Sequence, residues 1–282
     1  MFDRYINVNN RYPLSLDAIR ALAPSAFATM AHSSRSRSYT YIPTSDVIDG
    51  MIKAGFQPFA ARQSTTRTVG KVDYTKHMIR FRRTDADTAL VSDSVPEVIL
   101  INSHDGSSAY KLIAGVYRKV CMNGLAVSEG TISSFAVAHK GNIVERVIEG
   151  SFEILRSTNA VLGTVRDWQR LSLTEGEQHA YAQAAHVLRF GDEDGKTTTP
   201  IQPVQLLRSR RTDDNANTLW HTFNRVQENV VRGGLRGVQA ATEGRRARRV
   251  TTREVTGIDQ NVKLNRALWT LTEELAKLKG AA

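Results

Sequence analysis

Cysteine is nearly absent from this chain of 282 residues, in which Cys121 is the only one. A single cysteine makes no internal disulfide and no cysteine zinc cluster, which favours a reducing compartment. No apolar run approaches the ~20 residues that a membrane span needs, and the first residues lack the apolar stretch of a signal peptide. We therefore expect a cytoplasmic protein without a membrane partner.

The motifs of nucleotide and metal chemistry are also missing. The sequence has no Walker loop and no G-x-G-x-x-G pattern, so neither nucleotide hydrolysis nor dinucleotide binding has support. It has no H-E-x-x-H motif, and His179 and His186 on one predicted helix are seven residues apart instead of four. The sequence predicts no cofactor and no metal, and it favours a non-enzymatic protein.

Acidic residues are too few to balance the basic ones: 28 aspartates and glutamates face 38 lysines and arginines, a net charge of +10. A basic surplus favours a polyanionic partner, most commonly nucleic acid. Three segments hold the candidate nucleic-acid-binding residues. They are Arg62, Arg67, Lys71, Lys76, Arg80, Arg82 and Arg83 in the first, Arg208, Arg210 and Arg211 in the second, and Arg232, Arg236, Arg245, Arg246, Arg248, Arg249 and Arg253 in the third.

The first and third of these segments predict different structures. Residues 62–83 read as a basic β-hairpin that follows a phosphate backbone, with Tyr74 or Phe81 offering a ring to bases. Residues 233–257 are rich in glycine and arginine, lack apolar periodicity and predict a mobile loop whose guanidinium groups suit phosphates. The alternative is a solvated loop without a partner, or one that docks on an acidic surface of a neighbouring subunit.

The periodicity of the chain predicts an α+β fold. Short helices come first, and residues 57–139 then read as a mainly antiparallel sheet because β-branched and aromatic residues partly alternate with polar ones. Long amphipathic helices follow from Ile143. Strands and helices that are segregated along the chain indicate α+β rather than α/β. We expect a core domain over residues 1–200 and a helical part over 201–282 that packs on it.

The stretch N-S-H-D-G-S-S-A-Y at residues 102–110 allows three interpretations. Asp105-Gly106 is a strong signal for a two-residue hairpin turn between the strands on either side. Alternatively, Asn102, Ser103 and His104 contact a phosphate from an exposed loop tip. A hydrolase or nuclease that uses His104 and Asp105 is the third, although neighbours along a turn rarely converge on one point, as a catalytic triad must.

The stretch that follows, AYKLIAGVYRKVCMNGLAV, resembles the central motif of a family of uncharacterised phage- and plasmid-encoded proteins. The motif positions in this sequence are Gly115, Arg118, Val120, Cys121, Asn123, Gly124 and Leu125. NSHDGSSAY upstream and TLWHTFNRVQENVVRGG and LNRALWTL downstream extend the resemblance over most of the chain from Asn102 onward. The roles of His104, Asp105, Arg118, Cys121, Asn123 and Gly124 are open. By themselves, Asn123-Gly124 predicts a hairpin turn and Cys121 a small buried side chain.

This resemblance implies DNA metabolism in phages and conjugative plasmids inside a bacterial host cell, especially metabolism of single strands. The order of a β-rich first half and long helices is also similar to single-strand annealing proteins of the RecT and Red-beta type. Our hypothesis is a non-enzymatic protein that binds single-stranded DNA or anneals strands, and that self-associates as a ring or filament. The alternative is an interaction protein that counters or modulates a host defence factor, with a host protein as its partner.

Overall fold

The computed structural model describes residues 12–35, 41–83, 94–118, 123–126, 135–137, 142–241 and 246–280. The chain divides into two units, Met1–Leu162 and Gly163–Ala282. The division falls inside a long helix, whereas the sequence analysis placed its domain boundary after residue 200. Helices and an antiparallel sheet are both present, so the predicted α+β class is confirmed.

Three helices belong wholly or partly to the first unit. Helix α1 (Leu16–Leu22) begins where Ser15 accepts a hydrogen bond from the Ala18 amide, so an N-cap side chain satisfies one of the free donors of the first turn. Helix α2 (Thr44–Lys53) buries Val47, Ile48 and Met51. Helix α3 (Ile143–Arg170) continues into the second unit.

Six strands form the sheet of the first unit: β1 (Phe56–Gln63), β2 (His77–Arg83), β3 (Ser94–Asn102), β4 (Tyr110–Arg118), β5 (Asn123–Ala126) and β6 (Phe135–Val137). Their order is β1-β2-β3-β4-β5, and β6 also pairs with β4. All of these pairs are antiparallel. The predicted sheet over residues 57–139 is therefore confirmed.

Both faces of the central strands are covered. Every residue of β3 is buried, as is every residue of β2 except Arg83. Because side chains alternate along a strand, His77, Ile79 and Phe81 lie on one face and Met78, Arg80 and Arg82 on the other. The alternation is evident in the sequence, but the burial of the face that carries the arginines is not.

The second unit is built on three further helices, α4 (Glu175–Phe190), α5 (Leu219–Arg232) and α6 (Ile258–Leu278). Thr174 and Glu177 form a capping box at the start of α4. The chain's three tryptophans, Trp168, Trp220 and Trp269, pack together around Phe223, with 4.6 Å between the ring centres of Trp168 and Trp269.

Two short strands, β7 (Arg236–Gln239) and β8 (Arg248–Thr251), pair antiparallel within the segment that the sequence analysis treated as a mobile loop. We call β7 and β8 the ribbon. A Cβ atom added at Gly237 would lie 2.7 Å from the Pro200 carbonyl oxygen, and the Gln205 side chain donates to the Arg236 carbonyl at 2.9 Å. The ribbon is therefore anchored by a glycine and by contacts to backbone atoms, and not by buried apolar side chains. This is why its sequence shows no apolar periodicity. The prediction of a mobile loop is wrong for these two strands.

None of the helices in the described part of the chain has the length and apolar character needed to cross a membrane.

Candidate nucleic-acid interface

Strands β1 and β2 form the hairpin predicted over residues 62–83, but two of its arginines lie inside the protein. Arg80 and Arg82 are each 5% exposed. Arg80 Nη1 is 2.9 Å from Glu97 Oε2, and Arg82 Nε is 2.6 Å from Glu97 Oε1. The Arg82 guanidinium also lies 3.4 Å from the ring centre of Tyr117. The prediction that Arg80 and Arg82 bind a phosphate backbone is therefore corrected: both bind Glu97 within the sheet.

Two further arginines from the sequence analysis are also wholly or partly buried. The guanidinium of Arg83 lies 5.1 Å from the ring centre of Phe152, and Arg118 is 4% exposed at the end of β4.

Burial lowers the pKa of Arg80, and the attraction of Glu97 opposes that shift.

The connection between β1 and β2 retains basic residues at the surface of the first unit. Within this connection Arg67 is exposed, and Lys71 and Lys76 are half-buried. Arg62, near the end of β1, is also half-buried. Val69, between Arg67 and Lys71, is 97% exposed. The part of the predicted hairpin that remains accessible to a phosphate backbone is thus its connecting loop rather than β2.

The stretch 102–110 connects β3 to β4, so the hairpin interpretation is confirmed. The connection runs from residue 103 to residue 109, which is longer than the predicted two-residue turn. Gly106 has a φ of +79°, and the Arg35 guanidinium occupies the space that a Cβ atom would need. Asn102, Ser103 and His104 are fully buried, which corrects the interpretation that they contact a phosphate from an exposed loop tip.

These buried side chains join a polar cluster around Thr44, the first residue of α2. Thr44 Oγ1 lies 2.9 Å from His77 Nε2, 3.2 Å from His104 Nε2 and 3.0 Å from Asn102 Nδ2. The hydroxyl of Tyr110 is 3.4 Å from the same oxygen and donates to the Ile42 carbonyl. The cluster ties α2 to β2, β3 and β4.

His77 is the titratable centre of this cluster. Burial, and to a smaller extent the neighbouring His104, lower the pKa of His77 from 6.5 to about 3. Its Nδ1 atom is 3.0 Å from Ser25 Oγ. Ser25 and Thr44 are 52 and 33 residues from His77 along the chain, so no sequence pattern pointed to this cluster.

His104 and Asp105 have separate partners. His104 contacts Thr44, whereas Asp105 Oδ1 accepts a hydrogen bond from the Ser107 amide at 2.9 Å. Partial burial opposes ionisation of Asp105, but hydrogen bonds from Ser107 and Ser103 outweigh it and lower the pKa of Asp105. No group of three or more histidines, cysteines, aspartates or glutamates among the described residues is arranged to hold a metal ion.

The second unit carries the basic residues of the other two segments on its surface. Eight are exposed and Arg211 is half-buried. We call the exposed set the ribbon surface: Arg208, Arg210, Arg232, Arg236, Arg246, Arg248, Arg249 and Arg253. Arg245 lies outside the described residues. Unlike Arg80 and Arg82, the arginines of the ribbon surface are accessible to a large polyanion.

The ribbon presents one face outward. Gly237 lies against the Pro200 backbone, so the side chains on the opposite face point away from that contact. The pairing places Arg236 opposite Thr251 and Val238 opposite Arg249, and these four residues share the outer face. All four are exposed.

Buried carboxylates hold the arginines beside the ribbon. Glu228 Oε1 is 2.7 Å from both Arg211 Nη2 and Arg232 Nη1, and Arg211 Nη1 is 2.6 Å from Asp214 Oδ2. Glu228 is 2% exposed and Asp214 1%. The two carboxylates of this cluster therefore lie inside, beneath the half-buried Arg211 and the exposed Arg232. The sequence alone does not indicate this role of Glu228 and Asp214, because they are separated along the chain from part of the cluster that they hold.

Arg210 and Arg189 attach the ends of the ribbon to the helices. Arg210 Nε donates to Asn229 Oδ1 at 2.9 Å and its Nη2 donates to the Gly233 carbonyl. Arg189 donates to the carbonyl of Arg253 at 3.3 Å. Burial lowers the pKa of Arg210, against the attraction of Glu228. The sequence alone does not indicate the role of Arg189, because a single arginine at a helix end carries no distinctive signal.

The motif shared with the uncharacterised family lies on β4 and β5. Gly115 pairs with Glu97 on one side and Ala126 on the other. Asn123 and Gly124 are strand residues of β5, opposite Arg118 and Tyr117, so the prediction that they form a hairpin turn is wrong. Val120 and Cys121 lie outside the described residues.

Residues 31–269 match the model of the family described as Domain of unknown function (DUF932). The chain belongs to that family. It is also similar to two UPF0380 proteins of Escherichia coli (strain K12), YafZ and YfjQ, each 42% identical over 263 residues. These matches cover 93% of this chain and 92% of each relative. No solved structure matches the chain.

Proposed function

We propose that the protein binds single-stranded DNA, without catalysis, through the ribbon surface of its second unit. The observation that carries the proposal is the separation of charge around the ribbon. Arg236, Arg248 and Arg249 are exposed there, whereas the neighbouring carboxylates Glu228 and Asp214 are buried beneath arginines.

This geometry suits a phosphate backbone in two ways. Each guanidinium presents a planar set of donors that matches phosphate oxygens. Ion pairs with Glu228 already restrict Arg211 and Arg232, so less side-chain freedom is lost when a phosphate binds. Contacts to phosphates carry no sequence information, and we expect binding that is largely independent of sequence.

Strand annealing is a further part of the proposal. Two complementary strands repel one another through their phosphates, and a surface that neutralises those phosphates lowers the repulsion. We expect several copies of the chain to assemble along one strand, as a ring or filament, so that the bases of a long segment are held available for pairing.

The test compares two triple variants that remove equal charge. The first replaces Arg236, Arg248 and Arg249 with alanine. The control replaces Arg146, Arg156 and Arg166, which are exposed on α3. Fluorescence anisotropy with a labelled single-stranded oligonucleotide measures affinity at several salt concentrations.

We expect the ribbon variant to bind more weakly and to reduce the slope of log affinity against log salt by about 2, because three phosphate contacts are lost. The control is expected to retain the slope. Equal losses in the two variants would show that general charge, and not the ribbon, carries binding.

A further inference from the structure

Val238 is an exposed apolar residue among the arginines of the ribbon. It is 63% exposed, on the outer face, two residues after Arg236 and directly opposite Arg249. Because its side chain is exposed, Val238 adds little to the core of the second unit. A β-branched residue suits a strand, but the same strand position tolerates a polar β-branched residue such as threonine equally well.

The aromatic rings that the sequence analysis offered to bases are not available. Phe81 is fully buried, and Tyr74 is half-buried with its ring centre 5.2 Å from that of His32. Among the described residues of Gly163–Ala282, no phenylalanine, tyrosine or tryptophan is exposed. A base that docks on the outer face of the ribbon therefore meets Arg236, Arg249 and Thr251, and Val238 is the apolar side chain among them.

We propose that Val238 contacts the face of an unpaired base while Arg236 and Arg249 hold the phosphates on either side. This inference rests on the proposed function and names the form of nucleic acid that the ribbon prefers. Arg236 and Arg249 are diagonal neighbours across the two strands, with Cα atoms about 7–8 Å apart, and Val238 is adjacent to both on the same face. Their long side chains can reach phosphates around a base that sits on Val238.

The contact distinguishes single strands from duplexes. In a duplex, each base face is covered by the next base pair, so Val238 meets only the sugar-phosphate edge. In a single strand, an unstacked base can cover the valine and remove apolar surface of both partners from water. Val238 then adds affinity for single strands that a duplex does not receive, whereas the arginines serve both forms.

The test replaces Val238 with threonine, which keeps the shape and the strand preference of valine and substitutes a hydroxyl for a methyl group. The control is Val204→Thr, at a valine 53% exposed in the same unit with uncharged neighbours in the sequence. The probes are a single-stranded oligonucleotide that carries 2-aminopurine and the duplex of the same sequence.

We expect V238T to bind the single strand about fivefold more weakly than the wild type, and the duplex equally well, since part of one valine's burial is lost. The change in 2-aminopurine fluorescence on binding should be smaller in V238T than in the wild type, and it should be unchanged in V204T. Val238→Phe should increase that signal, because a larger apolar face covers the base. Tryptophan emission, which comes wholly from the second unit, verifies that each variant is folded.

Two outcomes overturn different parts of the account. If the wild type binds neither probe, the proposed function fails and the inference fails with it. If the wild type binds the single strand, but V238T and V238F leave its affinity and the 2-aminopurine signal unchanged, only the inference fails. Equal weakening of single strand and duplex in V238T would also overturn the inference.

Discussion

Arg82 and Arg249 have the same side chain in opposite surroundings. Arg82 is buried against Tyr117 and bound to Glu97, whereas Arg249 is exposed on the outer face of the ribbon. Both looked alike in the sequence, since each belongs to a short run of arginines. Alternation along β2 indicates which face Arg82 occupies, but burial of that face depends on packing that the sequence does not report.

Glu97 allows a direct test of the buried arginines. It is fully buried and is bound to both Arg80 and Arg82. We expect Glu97→Gln to lower the free energy of unfolding by about 3–5 kcal/mol, because two guanidinium groups would lose their buried counter-charge. Urea denaturation followed by circular dichroism measures this change. Glu149→Gln, at an exposed position on α3, is the control, and an equally small effect of both substitutions would contradict the assignment.

His77 makes stability depend on pH. Its pKa is about 3 in the folded chain and 6.5 in the unfolded chain, so between these values the unfolded state binds more protons. The contribution of His77 to the free energy of unfolding is therefore fully present above about pH 6.5. It is lost as the pH falls toward 3, by up to about 1.4 kcal/mol per pH unit. Urea denaturation at a series of pH values tests this. We expect His77→Gln to flatten the dependence and His179→Gln, at an exposed position, to preserve it; identical slopes in all three proteins would argue against the assignment.

At the scale of elements, the ribbon depends on the close approach of Gly237 to Pro200. A Cβ atom there would lie 2.7 Å from a backbone oxygen, which cannot move as freely as the end of a side chain. We expect Gly237→Ala to displace the ribbon, weaken binding of single-stranded DNA several-fold and speed proteolysis between β7 and β8, with little change in global stability. Gly176→Ala, where the added atom meets nothing within 4 Å, is the control. Unchanged binding and proteolysis in G237A would exclude this anchoring role.

The sequence predicted elements well where local periodicity decides them. The strands from β1 to β4, the capping box at Thr174 and the helices α3 to α6 all carry repeating apolar patterns or specific end signals. It failed at the ribbon, because strands of four residues have no measurable alternation and are held by a glycine and backbone atoms. It also missed the cluster around Thr44, which joins residues that are far apart in the chain.

For the whole molecule, the net charge of +10 gives a reason for a polyanionic partner, and the exposed arginines of the second unit give that charge a location. Binding of several copies to one strand follows from the proposal of rings or filaments. We expect sedimentation velocity with a long single-stranded oligonucleotide to show complexes of several chains, which disappear when the oligonucleotide is replaced by a short one. Complexes of one chain on the long oligonucleotide would argue against this assembly.

The most direct test of the central claim is the affinity of the wild-type chain for a labelled single-stranded oligonucleotide at ~50 and ~200 mM salt, measured by fluorescence anisotropy. Six or more phosphate contacts predict tight binding at the lower concentration and a loss of about a hundredfold or more at the higher one, because each neutralised phosphate releases counterions. Absence of binding at the lower concentration would contradict the account and would move the interaction with a host protein to first place.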